Sequence, residues 1–274
     1  DADRVGAAVK NNEGEWVLLN GNQTALMFVY YLITRWKELG KINGKEYIVK
    51  TIVTTETIKT IAERNGVEMY DVYTGFKWIA NVMRENEGKK NYIGGGEESY
   101  GFLCEDFVRD KDAVSACVIL AEIAAWAKDQ GLSLYQLLQK IYVEYGFSKE
   151  KGISVVKKGK SGAEEIEAMM KKFRENPLTE IAGSKVTYFY DYSTLKGKDY
   201  AENETVTLDM PTTSNVLQYF TEDNTKVSIR PSGTEPKIKF YCEVHSKVKS
   251  IDELPEAEKA AEEKINQIKA SLGI

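Results

Sequence analysis

Through residue 145 the chain alternates short β-branched or aromatic runs with amphipathic stretches long enough to be helices, and that alternation restricts it to few folds. Trp16-Val17-Leu18-Leu19 leads into a helical pattern over 23–39. The β-branched run over 47–54 is followed by a helical pattern over 56–65, stopped by Gly66. A short strand over 69–73 precedes a helix over 75–84, and Tyr92-Ile93 enters Gly94-Gly95-Gly96. Helical periodicity returns over 113–129 and 134–145. Strand–helix alternation at this spacing predicts a doubly wound, mainly parallel sheet with helices on both faces. Ligands of such sheets collect at the carboxyl ends of the strands, which directs attention to the loops near Asn20, Thr74 and Gly94.

The pattern changes across the polar, glycine-flanked stretch 146–152. Beyond it come a strand over 153–156, a helix over 163–175, strands over 185–191, 205–208, 216–220, 226–229 and 237–244, and a closing helix over 254–272. Consecutive strands framed by helices predict a smaller α+β domain with an antiparallel sheet. The expected division is an α/β domain over 15–147 and an α+β domain over 148–274.

Composition narrows the function classes. Of 274 residues, 42% are hydrophobic and 29% charged, and no apolar run is long enough to span a membrane. The net charge of −5, with signs mixed along the chain, argues against a nucleic-acid surface. Cys104, Cys117 and Cys242 lie far apart with no C-x-x-C pair, which points to a reducing, cytoplasmic setting and away from a zinc site. The single histidine, His245, alternates with Glu243 and Tyr241, opposite the apolar face of Phe240, Cys242 and Val244, and is expected to face solvent. Any chemistry must then rest on carboxylates, lysines, hydroxyls or a metal.

Five short motifs carry such groups. Arg230-Pro231-Ser232-Gly233-Thr234-Glu235-Pro236-Lys237 places cations and hydroxyls around a glycine between two strand patterns. Arginine offers a planar fork to two phosphate oxygens, and glycine admits backbone N–H groups close to an anion. An ordinary hairpin turn would use several of the same residues. Asp1 and Asp3, beside Arg4, can face one hard cation such as Mg²⁺, or form a solvated turn. Thr74-Gly75-Phe76-Lys77 marks a strand-to-helix junction suited to an anion or a sugar oxygen, or simply to helix capping by Thr74. Gly94-Gly95-Gly96-Glu97-Glu98-Ser99-Tyr100-Gly101 combines close-approach glycines with the acceptors and donors that polyols need. Arg109-Asp110-Lys111-Asp112 precedes an apolar helix with Asp112 as its N-cap, and Lys111 can reach back toward the strand ends.

In this order and approximate spacing the five motifs resemble those of the α-D-phosphohexomutases, and GEESYG with RPSGTEPK is most similar to the phosphoglucomutase and phosphopentomutase-like branch. The resemblance runs over essentially the whole chain. It implies a four-domain enzyme with a phosphorylated serine in the first domain, a Mg²⁺ loop in the second, sugar recognition in the third and phosphate binding in the fourth. Residues 1–14 then read as the end of the metal loop and a linker, with Asp1 and Asp3 as two of three metal aspartates and Arg4 following them. Glu97 and Ser99 would grip sugar hydroxyls, with Thr74, Gly75 and Lys77 as neighbouring contacts. Arg230, Ser232, Gly233, Thr234 and Lys237 would hold the phosphate that does not react, and Lys111 would sit near the reacting oxygens and assist proton transfer. The implied ligands are glucose 1-phosphate, glucose 6-phosphate and glucose 1,6-bisphosphate. Ribose or mannose phosphates are the related alternatives, and a non-catalytic phosphosugar-binding module is the alternative of another class. A phosphatase with an aspartate nucleophile would use D-x-D but leaves the other loops without a role.

No serine loop of the TASHNP kind is present in the sequence, which opens without Met, so the resemblance implies the C-terminal part of such an enzyme. For residues 1–274 alone, a coupled assay converting glucose 1-phosphate to glucose 6-phosphate is expected to show no turnover above buffer. Robust turnover would demand a nucleophile outside these motifs.

Overall fold

The computed structural model describes residues 1–157, 159–233 and 235–274, leaving aside the side chain of Lys160. Thr234, expected at the phosphate loop, lies outside the described residues. The chain divides into two compact units, one of 1–147 with 247–252 and one of 148–246 with 253–274.

In the first unit, β1 (Ala7–Lys10) and β2 (Trp16–Leu19) form an antiparallel hairpin of their own. The run at Trp16 is therefore a strand, as its pattern suggests, but it does not enter the parallel sheet. Helix α1 (Gly21–Glu38) starts two residues earlier than its periodicity, because Asn20 and Gln23 close a capping box. The Asn20 side chain accepts from the Gln23 N–H at 2.8 Å, and Gln23 accepts from the Asn20 N–H at 2.9 Å. There follow β3 (Glu46–Thr51), α2 (Thr57–Arg64), β4 (Glu68–Val72), α3 (Phe76–Asn86), β5 (Asn91–Gly96), β6 (Phe102–Cys104), α4 (Ala113–Asp129) and α5 (Leu134–Tyr145). The sheet order is β4-β3-β5-β6, with β3 parallel to both neighbours and β6 antiparallel to β5. Strand β6 had no signal distinct from the loop beside it.

Helix α3 covers one face, setting Phe76, Ile79 and Met83 against Tyr47, Val49, Val72, Tyr92 and Leu103. Helices α1, α2, α4 and α5 pack together as the other helical layer, where Phe28 of α1 stacks on Phe102 at 4.5 Å. All of β3 is buried, including two charges. Each has partners, as burial of a charge requires. Glu46 accepts from the N–H groups of Asn43, Gly44 and Lys45 and from Asn91, while Lys50 pairs with Asp71 at 2.6 Å and Glu56 at 2.9 Å.

The three glycines 94–96 end β5 instead of forming a loop after it. Their φ values are not positive, so close approach is their reason. A Cβ on Gly95 would stand 2.3 Å from the Val49 carbonyl oxygen, and one on Gly96 2.5 Å from that of Gly101.

The second unit opens with β7 (Phe147–Val156), six residues earlier than its sequence pattern, and α6 (Gly159–Glu175). Then come β8 (Glu180–Ile181), β9 (Ser184–Asp191), β10 (Lys196–Asp199), β11 (Glu204–Thr207), β12 (Leu217–Thr221), β13 (Lys226–Pro231), β14 (Lys237–Ser246) and α7 (Leu254–Leu272). The sheet runs β11-β10-β9-β12-β13-β14-β7, with β8 paired to β9. From β11 through β14 every neighbouring pair is antiparallel. The parallel sheet of the first unit and the large sheet of the second have no strand in common. Among the described residues no helix is long and apolar enough to cross a membrane.

His245 does not face solvent freely. Its Nε2 lies 2.7 Å from Glu243 Oε1, and Glu243 Oε2 lies 2.9 Å from Lys226 Nζ, with Lys226 and Glu243 directly opposite in the β13–β14 register. Only 3% of the Glu243 side chain is exposed, so strand alternation, which assigns it to an outer face, is overridden by this ion-paired cluster. Burial lowers the His245 pKa, but the Glu243 carboxylate outweighs it and holds the imidazole above its ordinary 6.5. A raised folded-state value contributes stability that is complete below about pH 6.5 and lost as pH rises through the folded value. Thermal melts of the chain should therefore show a midpoint that falls above neutral pH, and His245→Gln should flatten that fall. Lys226→Met, which takes one ion-pair partner from the buried Glu243 carboxylate and leaves it His245, should destabilise the chain in denaturant titration by less than the ~3–5 kcal/mol of a fully uncompensated buried charge.

Candidate functional site

In the first unit the carboxyl ends of three parallel strands set out three loops. After β5 the chain turns through 97–101, with Tyr100 at φ 72°, and returns as β6. Two adjacent carboxylates of this turn reach in different directions. Glu98 Oε2 accepts the hydroxyls of Thr51 (3.2 Å) and Thr54 (3.4 Å), and the Glu98 N–H donates to Thr54 Oγ1 at 3.2 Å. Both threonines are fully buried at the end of β3. Glu97 Oε1 instead accepts the N–H of Gly75 at 2.7 Å, tying the turn to the loop after β4. Gly75 has φ 113°, a backbone region closed to most L residues, and it is the N-cap of α3 without any side-chain cap. Thr74 therefore does not cap the helix. Its hydroxyl has no hydrogen-bond partner among the described residues, and neither does that of half-buried Ser99. Lys77 is exposed, with its ammonium 4.9 Å over the Trp78 ring.

The segment before β1 lies against the same loops. The Val5 N–H donates to the Tyr100 carbonyl at 3.1 Å, and the Ala2 carbonyl accepts from the Ala113 N–H at 3.2 Å. This brings Asp3 Oδ2 to 3.4 Å from Lys111 Nζ, which is also 3.2 Å from Asp110 Oδ1. The Lys111 ammonium sits 5.7 Å over the Phe76 ring, and its stem passes Gly101 so closely that a Cβ there would meet Cδ at 2.7 Å. Partial burial pulls the Lys111 pKa down, but Asp110 and Asp3 outweigh it and hold the value above that of ordinary lysine. Lys111 is thus a fixed cation at neutral pH. Burial raises the Asp3 pKa, yet Lys111 and then Arg4 overcome it and keep the carboxylate ionised. Arg4 Nε stands 4.0 Å from Asp3. DADR, TGFK, GEESYG and RDKD, spread over more than a hundred residues of chain, meet in one place.

The carboxylates of Asp1 and Asp3 have the oxygen chemistry that suits Mg²⁺. Among the described residues, however, no group of three or more His, Cys, Asp or Glu side chains is placed to hold a metal ion, and Asp3 is already paired with Lys111. These residues alone do not make up a metal site, and no step is routed through one.

In the second unit β13 and β14 present the loop 232–236. Ser232 N–H donates to the Lys237 carbonyl at 2.8 Å, and the Lys157 N–H donates to the Pro236 carbonyl at 2.9 Å. Ile229, Ile238 and Phe240 are buried, while Arg230 and Lys239 are half-buried and stand directly opposite each other in the register. Like charges so placed repel, which costs stability unless an anion joins them. Among the described residues neither makes an ion pair or a side-chain hydrogen bond. Sequence reasoning missed Lys239, because only the pairing register reveals its place beside Arg230. At Gly233 a Cβ would find nothing within 4 Å, and φ is not positive, so neither packing nor backbone conformation explains the glycine. Lys237 pairs with Glu235. A cleft of about 530 Å³ adjoins the loop, with Ser232, Glu235 and Lys237 on one wall and Lys171 and Arg174 on the other.

The domain III model (alpha/beta/alpha) of phosphoglucomutase/phosphomannomutase matches residues 20–145, and the C-terminal domain model of the same family matches 154–261. The chain belongs to the phosphoglucomutase/phosphomannomutase family. It is 38% identical over 241 residues to the phosphoglucomutase of Staphylococcus aureus strain MRSA252, covering 88% of this chain and 43% of that protein. This phosphohexomutase chain thus spans less than half the length of the curated relatives it matches. Its fold is similar to that of pp63/parafusin, a phosphoglucomutase of Paramecium, in an open form, with TM-score 0.57, 17% identity, and coverage of 91% of this chain and 40% of that one. It is equally similar to a phosphomannomutase-like protein from Thermus thermophilus, with TM-score 0.57, 20% identity, and coverage of 95% and 44%.

One contact of the Glu97–Gly101 turn offers a direct test. A Cβ on Gly21, the first residue of α1, would lie 2.0 Å from the Glu98 carbonyl oxygen and 2.8 Å from the Tyr100 amide nitrogen. Alanine adds about 1 kcal/mol of helix propensity over glycine, whereas overpacking costs about 1–3 kcal/mol. Gly21→Ala should therefore destabilise the chain in urea titration. A gain in stability would show that the helix does not press on the Glu97–Gly101 turn.

Proposed function

We propose that this chain supplies the sugar-recognition and phosphate-binding parts of a phosphoglucomutase-type enzyme. That enzyme interconverts glucose 1-phosphate and glucose 6-phosphate through a phosphoserine and a bisphosphate intermediate. The family membership and the 38% identical relative support the reaction class. The observation that carries the reading is the opposed pair Arg230 and Lys239, two cations held side by side next to a glycine with no internal reason to be one.

In the second unit, Arg230 supplies a two-pronged contact to phosphate oxygens and Lys239 and Lys237 add charge. Ser232, Gly233 and Thr234 complete the cradle. In the first unit, the free hydroxyls of Thr74 and Ser99 and the outer edge of Glu97 offer contacts to sugar hydroxyls, with Gly75 fixing the loop and Lys77 at its rim. Lys111, held protonated by its carboxylates, acts as a cation toward a transferring phosphoryl group, and in this state it is not a base. Asp1, Asp3 and neighbouring Arg4 would stand at the metal end of the reacting centre.

Phosphate titration tests the reading. Losing a hydrogen bond to a charged group costs about 1.5–3 kcal/mol, on the order of tenfold to a hundredfold in affinity. Arg230→Ala should weaken glucose 1-phosphate binding by that factor in calorimetry. Arg230→Lys should recover only part, since charge returns without the fork. Binding unchanged in Arg230→Ala would remove the loop from the site.

A further inference from the structure

The cationic loop of the second unit contains one acid, and that acid engages two of the groups assigned to phosphate. The Glu235 N–H donates to Ser232 Oγ at 3.3 Å, and its carbonyl accepts from the Lys237 N–H at 2.7 Å. Its carboxylate pairs with the Lys237 ammonium. That pairing, with Lys239 adding to it, holds the carboxyl below the ordinary glutamate value, so it is fully ionised at neutral pH. The side chain is 60% exposed and lines the cleft beside the loop, whose opposite wall carries Lys171 and Arg174. So exposed a carboxylate can leave Lys237 for solvent at little cost when a stronger anion competes for the ammonium.

A carboxylate and a phosphate oxygen compete for the same ammonium. We propose that Glu235 is a built-in place-holder of the phosphate loop, occupying Lys237 until phosphate arrives, weakening phosphate affinity and hastening release. This rests on reading 230–239 as the phosphate-binding segment. A loop that must let go of one end of a bisphosphate and take the other gains from such a competitor, because an all-cationic cradle would hold its ligand too long. The displaced carboxylate also stays close enough to a bound dianion to repel it, which in near-aqueous surroundings is worth about three- to tenfold in affinity.

The test is calorimetry of the full 274-residue chain with inorganic phosphate at low salt, with dissociation read from phosphorus-31 line widths. Glu235→Gln keeps the shape and removes the charge. It should tighten binding by about three- to tenfold and slow release. Glu167→Gln removes an equal charge from the same cleft without touching the loop, and should change affinity less than about twofold. Unchanged or weaker binding in Glu235→Gln overturns the place-holder, as does an equal gain in Glu167→Gln, which would reduce the effect to general charge. Phosphate that binds Arg230→Ala as tightly as the parent overturns the phosphate loop itself, and the place-holder with it.

Discussion

The first unit's site depends on two neighbouring carboxylates being used in different directions. A carboxylate taken out of water needs donors, and Glu98 finds them in the buried hydroxyls of Thr51 and Thr54, while Glu97 finds one in the Gly75 amide. The first contact pins the turn after β5 to the end of β3. The second pins it to the loop after β4, at the N-terminus of α3, where a negative charge is favoured. Three strand ends thereby become one rigid rim. Asp3 and Lys111 dock on it through the Val5–Tyr100 and Ala2–Ala113 backbone bonds.

Tight approach of backbone segments makes that rim possible. Gly95 lets β5 lie against Val49, Gly96 lets the turn close on Gly101, and Gly21 lets the start of α1 rest on Glu98 and Tyr100. Any side chain at these positions would set its Cβ 2.0–2.5 Å from a backbone oxygen of the facing segment and force the two apart. The glycines therefore serve the hydrogen bonds of Glu97 and Glu98.

Much of this was legible in the chain. The strand–helix alternation, the later run of antiparallel strands and the cap signal at Asp112 all follow from local physics, and α4 and α5 have the predicted bounds. The motif strings drew attention to Glu97, Lys111 and Arg230. What remained hidden is non-local. Thr51 and Thr54 look like ordinary strand-end residues until Glu98 comes to them. Lys239 looks like one more exposed lysine until register sets it opposite Arg230. His245 and Glu243 read as outer-face residues, because alternation cannot show that Lys226 stands across from Glu243 or that His245 closes on the same carboxylate. Strand β2 has strand chemistry, but nothing local says that its partner is β1 and not the parallel sheet.

The two units treat charge in opposite ways, and this bears on what each can bind. In the first, the strongly placed cation Lys111 already has Asp3 and Asp110, so a phosphoryl group arriving as proposed would share it with carboxylates and gain less than the full Coulomb attraction. Positioning of hydroxyls and amides then matters more than charge there, which suits discrimination among neutral sugar hydroxyls. In the second, Arg230 and Lys239 stand opposite each other across a strand pair, a placement of like charges that an anion between them would relieve. On the proposed reading, relief of that repulsion would add to the affinity of the loop for phosphate. A site of that kind would need a counterweight if its ligand is to leave, and Glu235, the one acid within the loop and already paired with Lys237, is proposed to supply it.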